Sequence, residues 1–192
     1  MQVDYAVELG RDDPVLELPW TAPQGGPRYY DLKRHPELLA EIEEAVRVPE
    51  LGEFLSTVNA PASRLESAKC DAWFSSEMDP DEDIFAAAWK FGCYVDLVLG
   101  GEERFSLTAH VKLAERLTEL LRSVPEIPAQ AEFMVRRAFF KDGQDVGKGY
   151  YVTSYLFGYG PDEAHARKRW GMALKLVQNA IGQVFNQMHS SV

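Results

Sequence analysis

Between Lys69 and Met188 the spacing of apolar residues switches twice from alternation to helical period. KCDAWFSSE and AAAWKFGCYVDLVLGG alternate as strands do and flank an acidic loop. They lead into LTAHVKLAERLTELLRSV, where apolar residues recur at helical spacing. AEFMVRRAFF and YYVTSYLFGYG repeat the alternation around KDGQDVGKG and lead into DEAHARKRWGMALKLVQNAIGQVFNQM. YVDLVLGG aligns with YVTSYLFGYG. The pattern predicts a duplicated ββα unit, with residues 69–128 as the first repeat and 129–192 as the second. Two copies are too few for a solenoid and close into one α+β core. That core is a four-stranded antiparallel sheet with two long helices on one face.

The first hairpin is read with Cys70 opposite Cys93 and its turn at Asp79–Asp83. Cys70, Ala72 and Phe74 then share an apolar face with Trp89, Phe91, Cys93, Val95 and Leu97. Asp71, Trp73, Ser75 and Glu77 share the other face with Lys90, Tyr94 and Asp96. Leu107, Val111, Ala114, Leu117 and Leu121 make the inward stripe of the first long helix. Trp170, Ala173, Leu174, Val177, Ile181, Val184 and Phe185 make that of the second. Gly171 and Gly182 interrupt the second helix and offer positions for close approach of another element. A returning helix after each hairpin leaves two orders for an antiparallel sheet, 2-1-3-4 or 1-2-4-3.

Residues 1–68 read differently. Four prolines and the Gly25–Gly26 pair fall within the first 35 residues, so regular structure there is limited to a strand near Val15–Leu18. PWTAPQGGPRYY reads as an arm that anchors Trp20, Tyr29 and Tyr30 on the rest. Pro36 opens a short helix with Leu38, Leu39, Ile42 and Val46 on one face. Pro49 opens another, with Leu51, Phe54, Leu55 and Val58 inward. Residues 1–68 are therefore expected to form an arm and helical subdomain docked on the 69–192 core, the whole being one compact domain.

Composition narrows the function. The net charge is -10, which disfavours phosphate backbones, whose binding rests on cationic contacts and counterion release. No apolar run approaches the ~20 residues that span a bilayer, and the N-terminus lacks the basic and apolar regions of a signal peptide. A cytoplasmic location without nucleic-acid or membrane partners is expected. Two cysteines make no disulfide framework. They read as small buried residues, with a redox-switchable cross-strand pair as the sharper alternative.

No dinucleotide fingerprint, Walker loop, HExxH, CxxC or GxSxG is present, so no catalytic residue and no cofactor is expected. Asp79, Asp81 and Asp83 open like a calcium loop, but Pro80 and Ile84 break that pattern. His110 and His165 open the two long helices and are the weak metal or acid–base candidates; the competing reading is a pair of surface histidines. The best site candidate is the mixed sheet face: Asp71, Trp73, Lys90, Tyr94 and Asp96. Arg136 or Arg137 would join them, with Tyr151 and Tyr155 or else Tyr150 and Ser154. This set suits packing against residues 1–68, a protein interface, or a site for a small polar ligand. The expected function is a non-enzymatic binding or protein-interaction protein that self-associates, as a homodimer, through the sheet face or the glycine-bearing helix, with another protein as the other partner the pattern allows. The alternative is a small-molecule-binding protein or enzyme with Asp71, Tyr94, Asp96 and Arg136 as polar contacts.

Overall fold

The computed structural model is α+β. It is described throughout except at residues 24, 27, 80, 81, 83, 84 and 190–192 and for the side chains of 187–189. Among the described residues six strands form one sheet: β1 (Gln2–Val7), β2 (Val15–Leu18), β3 (Leu65–Ser75), β4 (Trp89–Leu99), β5 (Ala129–Asp142) and β6 (Asp145–Gly160). Four α-helices accompany it: α1 (Glu43–Arg47), α2 (Pro49–Val58), α3 (Leu107–Arg122) and α4 (Glu163–His189).

The sheet order is β1-β5-β6-β4-β3, with β2 following β1 along the same edge of β5. Among β3 to β6 this is one of the two orders that the connections allow. The sheet as a whole corrects the expectation, for it is six-stranded and mixed. β1 and β2 both run parallel to β5. Val3, Tyr5 and Val7 alternate with Gln2, Asp4 and the small Ala6 along β1, so the proline-rich arm starts with a strand that the turn signals mask. At fourteen residues β5 is long enough to pair with both.

Register in the first hairpin also differs. Cys70 lies opposite Val95 and Ala72 opposite Cys93, so the cysteines are two residues out of the expected alignment. A shift of two leaves every side chain on its expected face, because the side-chain period along a strand is two. The strands end at Ser75 and resume at Trp89, so the connection is longer than a turn at Asp79–Asp83. Asp81 and Asp83 lie outside the described residues.

All four helices pack on one face. The core runs from Val3 and Leu32 through Leu51, Phe54, Phe91, Val95 and Phe133 to Trp170 and Val184. At Gly158 of β6 a Cβ would run into the backbone of Ala166 and Trp170, so the absence of a side chain lets α4 lie close against the strand. Trp170 fills the space beside it, edge-on to Phe91 at 4.7 Å, with its indole N–H donating to Cys93 Sγ at 3.2 Å.

The segment after Pro36 is not a continuous helix. A 3-10 turn spans Pro36–Glu41 and α1 begins after Ile42. That break rotates Val46 outward, 63% exposed, and turns Ala45 inward. In α3 the buried stripe is His110, Leu113, Ala114, Leu117, Thr118 and Leu121, while Leu107 and Val111 are half-buried at its border.

Candidate functional site

The face of the sheet away from the helices carries the candidate side chains, and the ladders align them in rows. Asp71 pairs with Tyr94, Tyr94 with Tyr155, and Tyr155 with Glu132 across β3, β4, β6 and β5. The next row is Lys69, Asp96, Thr153 and Met134, and on the other side lie Trp73, Gly92, Phe157 and Gln130. Arg136 with Tyr151 and Tyr155 belongs to this face. Alternation therefore sends Arg137, Tyr150 and Ser154 to the helix side.

Both ends of the face are covered. At one end Leu16 and Leu18 of β2, with Trp20 and Tyr29, pack on Ala68, Val98, Ala138 and Tyr151. Trp20 Nε1 donates to the Ala68 carbonyl at 2.7 Å. Tyr151 is thereby buried at 3% exposure and leaves the candidate surface. At the other end Glu82, from the β3–β4 connection, is clamped onto the sheet. Lys90 Nζ donates to Glu82 Oε2 at 2.7 Å and the Tyr159 hydroxyl to Oε1 at 2.6 Å. Burial pulls the Glu82 carboxyl up, but the bonds from Lys90, Tyr159 and the Asp79 amide outweigh it and hold it below its ordinary value. Lys90 is thus an internal partner and not a surface contact.

The middle stays open. Trp73, Tyr94, Tyr155 and Phe157 are half-buried there and keep part of each ring in contact with solvent. Ring follows ring across the sheet: Tyr155 and Tyr94 at 6.0 Å, Tyr94 and Trp73 at 6.5 Å, Trp73 and Phe157 at 6.1 Å, Phe157 and Tyr159 at 6.4 Å. Phe85 stacks on Tyr159 at 4.1 Å. Gly92 makes this layer possible. A Cβ there would stand 2.8 Å from Phe157 Cδ1 and 3.1 Å from Trp73 Cε2, so the two rings lie over bare backbone.

Beneath the rings runs a buried polar chain. Arg136 Nη1 donates to Thr153 Oγ1 at 3.1 Å and to the Tyr155 hydroxyl at 3.3 Å, and Nε donates to Glu8 Oε2 at 2.7 Å. Thr153 Oγ1 donates in turn to Asp96 Oδ1 at 2.7 Å. Burial raises the Asp96 carboxyl to about 6, against the pull of Thr153, Lys69 and Arg136. Glu8, Thr153 and Glu132 complete the site and were absent from the sequence reading. Thr153 was legible as the i+2 neighbour of Tyr151 and Tyr155; Glu8 was not, because it follows an unexpected strand.

The histidines lie apart from this face. His110 is fully buried on α3, with Nδ1–H donating to the Ser106 carbonyl at 2.8 Å and the ring 6.0 Å from Tyr150. Burial lowers its pKa and favours the neutral imidazole. His165 is exposed on α4 and pairs with Asp162 at 2.8 Å. The reading of His110 as a surface histidine is therefore corrected, since α3 turns it inward. Among the described residues no three His, Cys, Asp or Glu side chains are grouped to hold a metal ion. Burial pushes the thiols of Cys70 and Cys93 up to about 12. That keeps them protonated and unreactive, and with register partners other than each other they are not directly opposed, as the alternative of a redox-switchable pair requires.

A groove of about 940 Å³ follows the edge of β3 beside the open face, lined by Trp20, Tyr30, Glu44, Lys69, Asp71 and Tyr94 among others. No helix among the described residues is long and apolar enough to cross a membrane. Comparison with known proteins found no match to a family model, a curated protein or a solved structure.

Proposed function

We infer that this chain is a non-enzymatic interaction protein that docks a partner on the uncovered middle of its sheet. The observation that carries this reading is the run of half-buried rings, Trp73, Tyr94, Tyr155 and Phe157, that keep part of their surface in solvent between two covered ends. Tryptophan, tyrosine and arginine are the residues that concentrate binding energy at interfaces. The charges beneath the rings favour docking over catalysis. Arg136 spends its donors on Glu8, Thr153 and Tyr155, and Asp96 is held by Thr153, so the chain of groups acts as a rigid floor. The order β3-β4-β6-β5, with a helix after each hairpin, supports reading the core as two ββα halves that meet between β4 and β6.

A partner of different sequence is favoured over a second copy. In a face-to-face twofold dimer the same patch meets itself, and carboxylates Asp71 and Glu132 close the two ends of the tyrosine row. Like charges would then oppose one another across the interface. The groove beside β3 supports a second reading, a small polar ligand held by Asp71, Lys69 and Tyr94, since its volume lies within the range of ligand sites.

A photo-cross-linking amino acid placed at Met134, on the same face but outside the ring run, and separately at Met172 on the outer side of α4, tests the first reading in the source cell. A defined partner protein captured from Met134 and not from Met172 is the expected result. Capture from Met172 alone, or from neither, overturns it.

A further inference from the structure

The open middle of the sheet holds a wedge whose chemistry suits one kind of side chain. Asp71 and Tyr94 face each other on β3 and β4, and Trp73 follows Asp71 on the same side of the strand. The Trp73 and Tyr94 rings are 6.5 Å apart and inclined by 53°. Asp71 stands at their rim with its side chain 50% exposed. The Ala72 amide donates to its Oδ1 at 2.7 Å, which fixes the carboxylate in place, and Arg47, whose Nη2 donates to the Ala72 carbonyl, forms a long ion pair with the same oxygen at 3.9 Å, leaving Oδ2 to a further donor.

The same face shows how its rings take cations. Arg136 lies over Tyr155 at 5.7 Å, Lys90 over Phe157 at 5.7 Å and Lys69 over Trp20 at 5.4 Å. Among the described residues no lysine or arginine of the chain sits over Trp73 or Tyr94. These two rings nevertheless lie in negative surroundings. Burial raises the Tyr94 hydroxyl, and Asp96 and Asp71 raise it further. The chain as a whole carries a net charge of -10, which draws cationic partners toward it.

We propose that Trp73, Tyr94 and Asp71 form a receptor for an arginine side chain carried by a partner polypeptide. A guanidinium is planar and weakly hydrated, so it stacks on aromatic faces while its edge donates to a carboxylate. The wedge supplies both parts, the rings from two neighbouring strands and the carboxylate at their rim. The groove that reaches Asp71 and Tyr94 along β3 gives the partner's backbone a path. Strand addition to β3 would have to displace contacts already made along its edge. The Ala68 and Ala72 carbonyls already accept from Trp20 and Arg47, and the Ala72 amide is taken by Asp71. Recognition through a side chain displaces none of them. The proposal rests on the docking-face reading above and names the chemistry of its partner.

The test titrates the full chain with acetylated, amidated Gly-Ser-Arg-Ser-Gly and with the same peptide carrying citrulline, which keeps the shape and removes the charge. Resonances of Trp73 and Tyr94 report binding. The arginine peptide is expected to give saturable shifts centred on these two residues, and the citrulline peptide to bind at least tenfold more weakly. Asp71→Asn and Tyr94→Leu should each weaken the arginine peptide at least fivefold, while Tyr94→Phe, which keeps the ring, should leave it within twofold. An unchanged melting temperature shows that the variants are folded. Absence of binding, equal binding of citrulline, or indifference to Tyr94→Leu overturns the proposal. If cross-linking from Met134 still captures a partner, the docking face stands and only the arginine reading falls; if neither gives a signal, both fall.

Discussion

Asp96 is 6% exposed beneath the tyrosine row, and burial pushes its carboxyl up from the ordinary 3.8 to about 6. A carboxyl with a raised pKa holds its proton more tightly in the folded state, so folding loses stability as pH rises through the window from about 4 to 6. The full cost, about 3 kcal/mol, is present above that window and absent below it. Glu82 has the opposite sign: its pKa is lowered, so the stability it contributes is lost as pH falls. Comparing the native chain with Asp96→Asn isolates the first effect, because the amide oxygen still accepts from Thr153 without carrying charge. Urea melts should find Asp96→Asn more stable than the native chain at pH 7 and equal to it at pH 4. An equal loss at both pH values would mean that Arg136 and Thr153 hold the carboxylate charged.

At the scale of elements, α4 shows where a helical pattern carries more than packing. Its inward stripe from Trp170 to Val184 is buried as the spacing predicts. Gly171 and Gly182 were read as points of close approach, yet a Cβ at either would find nothing within 4 Å. Neither glycine is needed for packing within the chain, and both leave backbone freedom that folding must remove. Gly171→Ala and Gly182→Ala should each raise stability by about 0.5–1 kcal/mol in denaturant titrations without changing hydrodynamic size. Loss of stability, or a change in association, would instead mark this side of α4 as a contact surface. The earlier segment behaves differently. Pro36 starts a turn that ends at Ile42, so the apolar residues around it cannot share one helical face.

For the whole molecule, the N-terminal arm belongs to the fold's mechanics. β1 and β2 cover one edge of β5, and Val3 and Leu16 join the two buried clusters. Arg122 donates to the Val3 carbonyl at 3.1 Å, and Glu8 neutralises the buried Arg136. Deleting residues 1–20 removes all of these together. It exposes a long strand edge that invites aggregation and leaves the Arg136 guanidinium without its carboxylate, a change that costs about 3–5 kcal/mol when one partner of a buried pair is removed. The truncated chain should lose its cooperative melt and most of its soluble yield. A soluble truncation that melts as the native chain does would show the arm to be dispensable.

Local patterning was enough to place the long helices, the core strands and the faces of β3 and β4, because periods of two and 3.6 are properties of the chain itself. It was also enough to put Asp71, Trp73, Tyr94 and Asp96 on one side, and a two-residue error in register left that assignment intact. Which half of the second hairpin joined them was undecidable until pairing set Arg136, Tyr151 and Tyr155 opposite Tyr94 and its neighbours. Tertiary structure alone decided that Tyr151 and Lys90 are covered while Tyr94 and Trp73 stay open. The arm and the Glu82 connection reach those ends through contacts between residues far apart in the chain. The parallel pairing of β1 with β5 likewise joins Val3 to Ala131, a contact that no local period encodes.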